Sequence, residues 1–313
     1  MDADLFSVGS VPAEPLAVDH PDRAIIDRVA AAIEERSGGW AVFAQEIPRR
    51  LRLAIDEVID MPRTGRFVLA QLEKTEKTYL GTKVEILIRD FLGVPKGLLD
   101  LDVAGLDIDV KNTVTGNWMI PSEAIRKPCI LISENEPSAV CSVGLLICHP
   151  AYLTGGANKD GKVSVSAIGR KNIHWILKNH PYPANFWEAV PTHIRRSIMQ
   201  PTSGTERLYA LFQAFLGRPI ARGTVESVAR QKDFMKRLRS NGGVRDRLEP
   251  QGIVLLSGVA DRELALRLGI PALAREEFVA VPVTTSAQLE AVRASHRHSG
   301  VVALAEPRSP ADG

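Results

Sequence analysis

The chain has 313 residues, 45% of them apolar, which suits a soluble globular protein of about two domains. Its net charge of +2 is too small to argue for or against a polyanionic partner, so local charge has to decide. Met1–Pro21 carries early acids and no apolar core of a signal peptide, and no apolar run reaches the length of a membrane span, so a cytoplasmic protein with no membrane partner is expected. Cys129, Cys141 and Cys148 cannot all pair within one chain and lie in apolar runs. They read as buried, reduced thiols, and the lack of a Cys-x-x-Cys pair argues against structural zinc.

Residues 1–20 form a loose lead-in. Ile25, Ile26, Val29 and Ile33 mark a helix face that ends at Ser37-Gly38-Gly39, and Ile47, Leu51, Ile55, Val58 and Ile59 mark a second. Residues 61–66 read as a turn, 67–72 as the start of a short helix and 83–91 as another helix. Strands are expected at 100–103, 106–112, 128–133 and 139–148. The first domain, 21–177, is therefore α/β, a mixed sheet flanked by helices. Residues 178–186, with prolines at 181 and 183, read as a linker.

In the second domain, 187–313, Thr205-Glu206 caps a helix carrying Leu208, Leu211, Phe212 and Phe215, and Thr224 caps the next. A helix over 234–240 follows, closed by Asn241-Gly242-Gly243, then a strand over 252–256. Short helices followed by a β wing give a winged helix-turn-helix expectation. Between Arg222 and Arg247 eight basic residues face three acids, a local excess of +5. Arg230, Gln231, Lys232, Lys236, Arg237, Arg239 and Arg245 are the candidate DNA contacts. Phe234 and Leu238, four apart, leave the charged faces of their helix outward. Most charge runs are merely solvated faces, and it is the helix-turn-helix context that favours DNA. The tail beyond His296 is polar and expected to fray.

Leu106-Asp107-Ile108-Asp109-Val110-Lys111 alternates strictly. On a strand the apolar side chains take one face, and two carboxylates and an ammonium the other. Asp100 lies upstream across a tight turn at Ala104-Gly105. Converging carboxylates beside a lysine suit a hard divalent cation and an anionic substrate, as phosphodiester hydrolysis requires. An isolated Asp-x-Asp-x-Lys is more often a solvated sheet face, so context must carry the assignment.

That context is a resemblance. Arg63-Thr64-Gly65-Arg66, the run Gln71–Thr78, Gly81-Thr82, Val84-Glu85, Asp100-x8-Asp109-Val110-Lys111 and Gly116-Asn117-Trp118-Met119-x-Pro121-x-Glu123 resemble the NaeI-type restriction endonucleases. Downstream, Val228–Arg237 and Gly242-Gly243 through Pro250-x-Gly252-Ile253 do so too, and the similarity spans about residues 50–258. The resemblance implies a homodimeric, Mg²⁺-dependent bacterial enzyme that cuts both strands of double-stranded DNA at a GC-rich palindrome. It implies a restriction-endonuclease-like core followed by a winged-helix domain like that of catabolite activator protein, which binds a second DNA copy and stimulates cleavage, the type IIE behaviour. The family's metal-binding and catalytic acids fall on Glu85, Asp100 and Asp109, and its lysine on Lys111. A ligase-like stretch in the family places Val58 where a ligase has lysine, so nucleotidyl transfer is not expected. Asp107 shares the catalytic face but receives no role from the resemblance.

Two other functions fit parts of this pattern. A monomeric repair or nicking nuclease would cut one strand, and a non-catalytic winged-helix regulator would bind DNA without cutting. Retention of Glu85, Asp100, Asp109 and Lys111 argues against the regulator.

Overall fold

The computed structural model describes residues 12–231, 233–239, 241–270, 273–295 and 298. The chain divides into two compact units. One comprises the described residues up to Ile59 with Arg66–Glu188, and the other Asp60–Gly65 with the described residues from Ala189 onward. Among the described residues no helix is long and apolar enough to cross a membrane.

Unit one opens with α1 (Arg23–Ser37) and α2 (Trp40–Ile59), the two amphipathic helices expected from the periodicity. Gly38, at φ +82°, ends α1 in the left-handed conformation that glycine adopts without cost. The short α3 (Met61–Thr64) belongs to unit two. Residues 67–72, expected to start a helix, contribute only a single 3₁₀ turn at Leu69–Gln71. Next comes α4 (Lys74–Leu92), which begins nine residues before the expected 83. Its start is set by Glu76, whose carboxylate accepts from the Glu73 N–H at 2.8 Å and so satisfies a donor left over at the helix entrance. Apolar periodicity cannot reveal such a polar first turn.

The strands are β1 (Leu101–Val103), β2 (Leu106–Thr113), β3 (Met119–Ile120), β4 (Pro128–Asn135), β5 (Val140–Ile147) and β6 (Val163–Ser164), then α5 (Ala167–Lys171) and β7 (His174–Pro181). Five make a mixed sheet in the order β1-β2-β4-β5-β7, with β2 and β4 parallel and the other neighbours antiparallel. Ala104 and Gly105, both at positive φ, form the β1–β2 turn. The helix α4 lies against β2, and α1 and α2 touch β5 and β7. Beyond the sheet, the β3–β6 ribbon closes a second core in which Trp118, Ile120, Cys129, Leu131, Leu146 and Cys148 are buried. With both sheet faces covered, unit one is a mixed α/β sheet flanked by helices. Residues 178–181, expected in a linker, complete β7 instead. Their backbone pairs with Val140 and Cys141 despite a polar, proline-bearing sequence, and the division falls after Glu188.

Unit two contains α6 (Thr192–Met199), α7 (Gly204–Ala214), β8 (Ile220–Ala221), α8 (Arg222–Ala229), α9 (Met235–Leu238), α10 (Val244–Leu248), β9 (Ile253–Ser257), α11 (Arg262–Arg267), β10 (Glu277–Pro282) and α12 (Ser286–Ala294). Its three strands run antiparallel in the order β8-β10-β9. The helix α8 starts at Arg222, directly after the strand that pairs Ala221 with Glu277, so Thr224 sits inside it rather than capping it. The helix expected over 234–240 is a four-residue turn, α9, about 6 Å long at 1.5 Å per residue. Arg207 joins α7 to the end of α8. Its guanidinium donates to the carbonyls of Pro201, Thr202, Val228 and Ala229 at 2.7–2.9 Å.

Candidate active site

The β1–β2 hairpin sets the site. Pairing of Leu101 with Ile108 brings Asp100, just ahead of β1, beside Asp109. The Asp100 N–H donates to the Ile108 carbonyl at 3.2 Å, and the Asp100 carboxylate accepts from the Val110 N–H at 2.7 Å. Asp109 is only 3% exposed because its face of β2 lies against the β3–β6 core rather than water. Burial pushes its carboxyl up to about 6, and the neighbouring Asp100 adds to the rise while Lys111 opposes it.

Lys111 completes the cluster. Its Nζ lies 2.5 Å from Asp109 Oδ1, 3.1 Å from the Val110 carbonyl oxygen and 3.8 Å from Asp100 Oδ2. Three oxygens on two adjacent backbone segments thus surround one positive charge. The ammonium stands in for a cation there, and the donors are the hard oxygens that Mg²⁺ prefers. Among the described residues no three His, Cys, Asp or Glu side chains form a metal cluster by themselves. The carboxylate pair with its backbone carbonyl therefore fits the group only as a partial ligand set, with Lys111 displaced from between them.

Glu85 stands apart from the other three. It projects from α4 and accepts from Arg89 one turn on, at 3.0 Å, while Lys83 pairs with Glu57. Partial burial raises the Glu85 carboxyl, the Asp100 charge adds to this, and Arg89 and Lys96 oppose it. Asp100, Asp109 and Lys111 are in direct contact, and Glu85 joins them only through the longer-range field of Asp100.

The remaining acids of the hairpin are structural. Asp102 Oδ1 accepts from the Gly105 N–H at 3.0 Å and fastens the turn, and Asp107 Oδ1 accepts from the Leu99 N–H at 2.8 Å. Cys129 also borders the site. Parallel pairing puts it opposite Asp109, its Sγ 3.8 Å from Asp109 Oδ2 and 3.1 Å from Cys148 Sγ. No local signal in the sequence announces a contact made by strand register. His149 meets Asp22 Oδ1 at 2.8 Å, a partner far away in the sequence. Trp118 is core, its indole N–H donating to the Ile132 carbonyl at 2.7 Å. Val58 is packed in α2.

In unit two, Arg230, Gln231, Lys236, Arg237 and Arg239 are exposed. Arg230 ends α8 at positive φ, the Gln231 side chain accepts from Arg237 at 2.9 Å, and Lys236 pairs with Asp233 at 2.8 Å. Arg245 is turned inward, 3.6 Å from the buried Asp261. It lines a cleft with Arg222, Arg239 and Arg275. Lys232 lies outside the described residues, as does the tail from His296 apart from His298.

Residues 27–296 match the family described as "Restriction endonuclease NaeI". A protein of Lentzea aerocolonigenes described as "Type II restriction enzyme NaeI" is 34% identical over 270 residues, covering 82% of this chain and 85% of that protein.

Proposed function

The chain belongs to the restriction endonuclease NaeI family, and we propose from this that it hydrolyses phosphodiester bonds in both strands of double-stranded DNA with Mg²⁺ as cofactor. The observation that carries the reading is the convergence of Asp109 Oδ1, the Val110 carbonyl and Asp100 Oδ2 on the Lys111 ammonium. Asp100 and Asp109 would hold Mg²⁺, with Glu85 as a further acid at the rim. When bound, the ion supplies Lewis-acid polarisation of the phosphoryl oxygen and a more acidic water. Lys111, released from its two carboxylates, donates to the charge that develops on the phosphoryl oxygens or orients the attacking water. The Val110 amide keeps the Asp100 carboxylate aimed throughout.

A homodimer with two-fold symmetry presents one surface twice, so its site is a palindrome, and the family points to a GC-rich one. Unit two is read as a winged-helix DNA-binding domain, with α7 and α8 packed together and β9 and β10 as the wing. The exposed Arg230, Gln231, Lys236, Arg237 and Arg239, with Lys232, would meet the phosphates of a second, stimulating duplex. The inward turn of Arg245 makes it a weaker contact than its sequence position implied.

The test is incubation with supercoiled multi-site plasmid and Mg²⁺, with sequencing of the ends. Discrete double-strand cuts at one palindrome, lost in Asp109→Ala and Lys111→Ala, are expected, and added cognate oligonucleotide should accelerate them. DNA binding without any cutting would overturn the nuclease reading, and single-strand nicks from a monomer would overturn the dimer.

A further inference from the structure

The loop from Pro95 to Leu99 leads directly into Asp100 and is held from several sides. The Asp102 N–H donates to the Pro95 carbonyl at 3.0 Å, and the Leu99 N–H to Asp107 Oδ1 at 2.8 Å. Gly97 has no room for a side chain. A Cβ there would meet the Asp107 carboxylate and lie 2.7 Å from the Leu101 carbonyl oxygen. Leu99 turns inward against the β3–β6 core, which leaves Leu98 outward, 97% exposed. Lys96 is exposed on the same loop, near enough to the site for its charge to stabilise the Glu85 carboxylate. Single exposed leucines are common on protein surfaces. This one sits on a clamped loop, two residues from a catalytic acid and two from a lysine.

We propose that Lys96 and Leu98 contact the substrate duplex beside the scissile bond, and that Asp107 is the positioning residue that holds their loop in place. The proposal rests on the DNA-cleaving reading given above. A lysine close to acids that handle a phosphodiester is matched in charge to a neighbouring phosphate. A leucine on the same loop reaches the apolar parts of the duplex, such as a thymine methyl or the gap at a base step. Because the clamp fixes the backbone before DNA arrives, the contact costs little ordering on binding. The role explains why Asp107 shares the catalytic face yet touches neither Lys111 nor Asp109 through any hydrogen bond among the described residues.

The test measures binding of full-length protein, with Arg230, Lys236, Arg237 and Arg239 changed to alanine to silence the duplex site of unit two, to a labelled random-sequence duplex without divalent cation, across a salt series, beside plasmid cleavage with Mg²⁺ by the protein with unit two unaltered. Leu98→Ala should raise Kd about tenfold, the scale of one lost leucine contact, with the salt dependence unchanged. Lys96→Ala should lower the slope of log K against log salt by about 0.9, one phosphate contact. Asp107→Ala should reproduce both effects, and Asp107→Asn, which keeps an acceptor for the Leu99 N–H, should restore them. In cleavage, KM should rise in Leu98→Ala while kcat stays within about twofold. Unchanged affinity and salt slope in Leu98→Ala and Lys96→Ala would overturn the proposal. So would unchanged affinity with a smaller sedimenting species in Leu98→Ala, which would assign the leucine to a second copy of the chain. Wild-type protein that binds DNA but cuts no plasmid would end the nuclease reading alone, with the binding arms still deciding on the loop.

Discussion

The Asp100 side chain is hydrogen-bonded to the backbone of Val110, 2.7 Å from carboxylate to amide, so the acid is fixed to the strand carrying Asp109 and Lys111. An acid set this way serves two ends at once, a charge for the site and an acceptor for the hairpin. The two separate on mutation. Asp100→Asn keeps an acceptor for the Val110 amide and loses the charge. Cleavage should fall at least about 100-fold with little change in melting temperature. Asp100→Ala should lose both, with an added cost of about 1–3 kcal/mol for the stranded amide. Equal melting temperatures for the two variants would remove the structural half of this account.

Glu134 on β4 is buried, with Arg52 of α2 close enough for its charge to act on it. Burial pushes its carboxyl up to about 8, Glu136 adds to the rise, and Asn112 and Arg52 oppose it. A carboxyl raised in the folded state binds its proton more tightly there than in the unfolded chain. Stability from this group is therefore full below about 4.5, where both states are protonated, and declines as pH rises towards 8. Asp109 acts with the same sign up to about 6 in the metal-free protein. Glu134→Gln mimics the protonated form and should flatten the decline between pH 5 and 8. At pH 9 it should melt at least about 2–4 °C above the parent, the shift expected of 1 kcal/mol in a domain of this size. Parallel melting curves against pH for the two proteins would contradict it.

Arg52 on α2 meets Glu136 at 2.9 Å and Asp56 at 2.7 Å, with Arg52 and Glu136 both under a tenth exposed. Removing one partner of a buried pair leaves the other charge in a poor solvent. Arg52→Met should destabilise unit one by about 3–5 kcal/mol in urea unfolding, whereas Arg52→Met with Glu136→Leu should recover most of that. Additive losses in the double variant would mean the pair is not coupled.

Arg207 is the polar pin of unit two. Arg207→Lys cannot reach four carbonyls from one ammonium, and about 2–4 kcal/mol should be lost, several carbonyls each forfeiting about 1 kcal/mol. Hydrogen exchange should quicken in α7 and α8 before the unit-one sheet. Unchanged exchange in α8 would show that apolar packing alone holds the pair.

Neighbouring residues determined much of this molecule. The α1 and α2 periodicity, the Ala104-Gly105 turn and the alternation of Asp107, Asp109 and Lys111 depend on contacts within a few positions, and so they could be read from the sequence. A resemblance carried by Arg63–Glu123 and Val228–Ile253 added the family, which no periodicity contains.

Tertiary structure decided the rest. Asp107 and Asp109 occupy equivalent positions in the alternation, yet one clamps a loop and the other lies beside Lys111 in a buried site. Residues 178–181 read as a linker and joined a sheet because β5 offered a free edge. The helix over 234–240 shrank to one turn. His149 found its acid 127 residues away. In each case the deciding term was strand register, burial or a distant partner. These are properties of the assembled chain, whereas sequence periodicity reports only what a residue shares with its near neighbours.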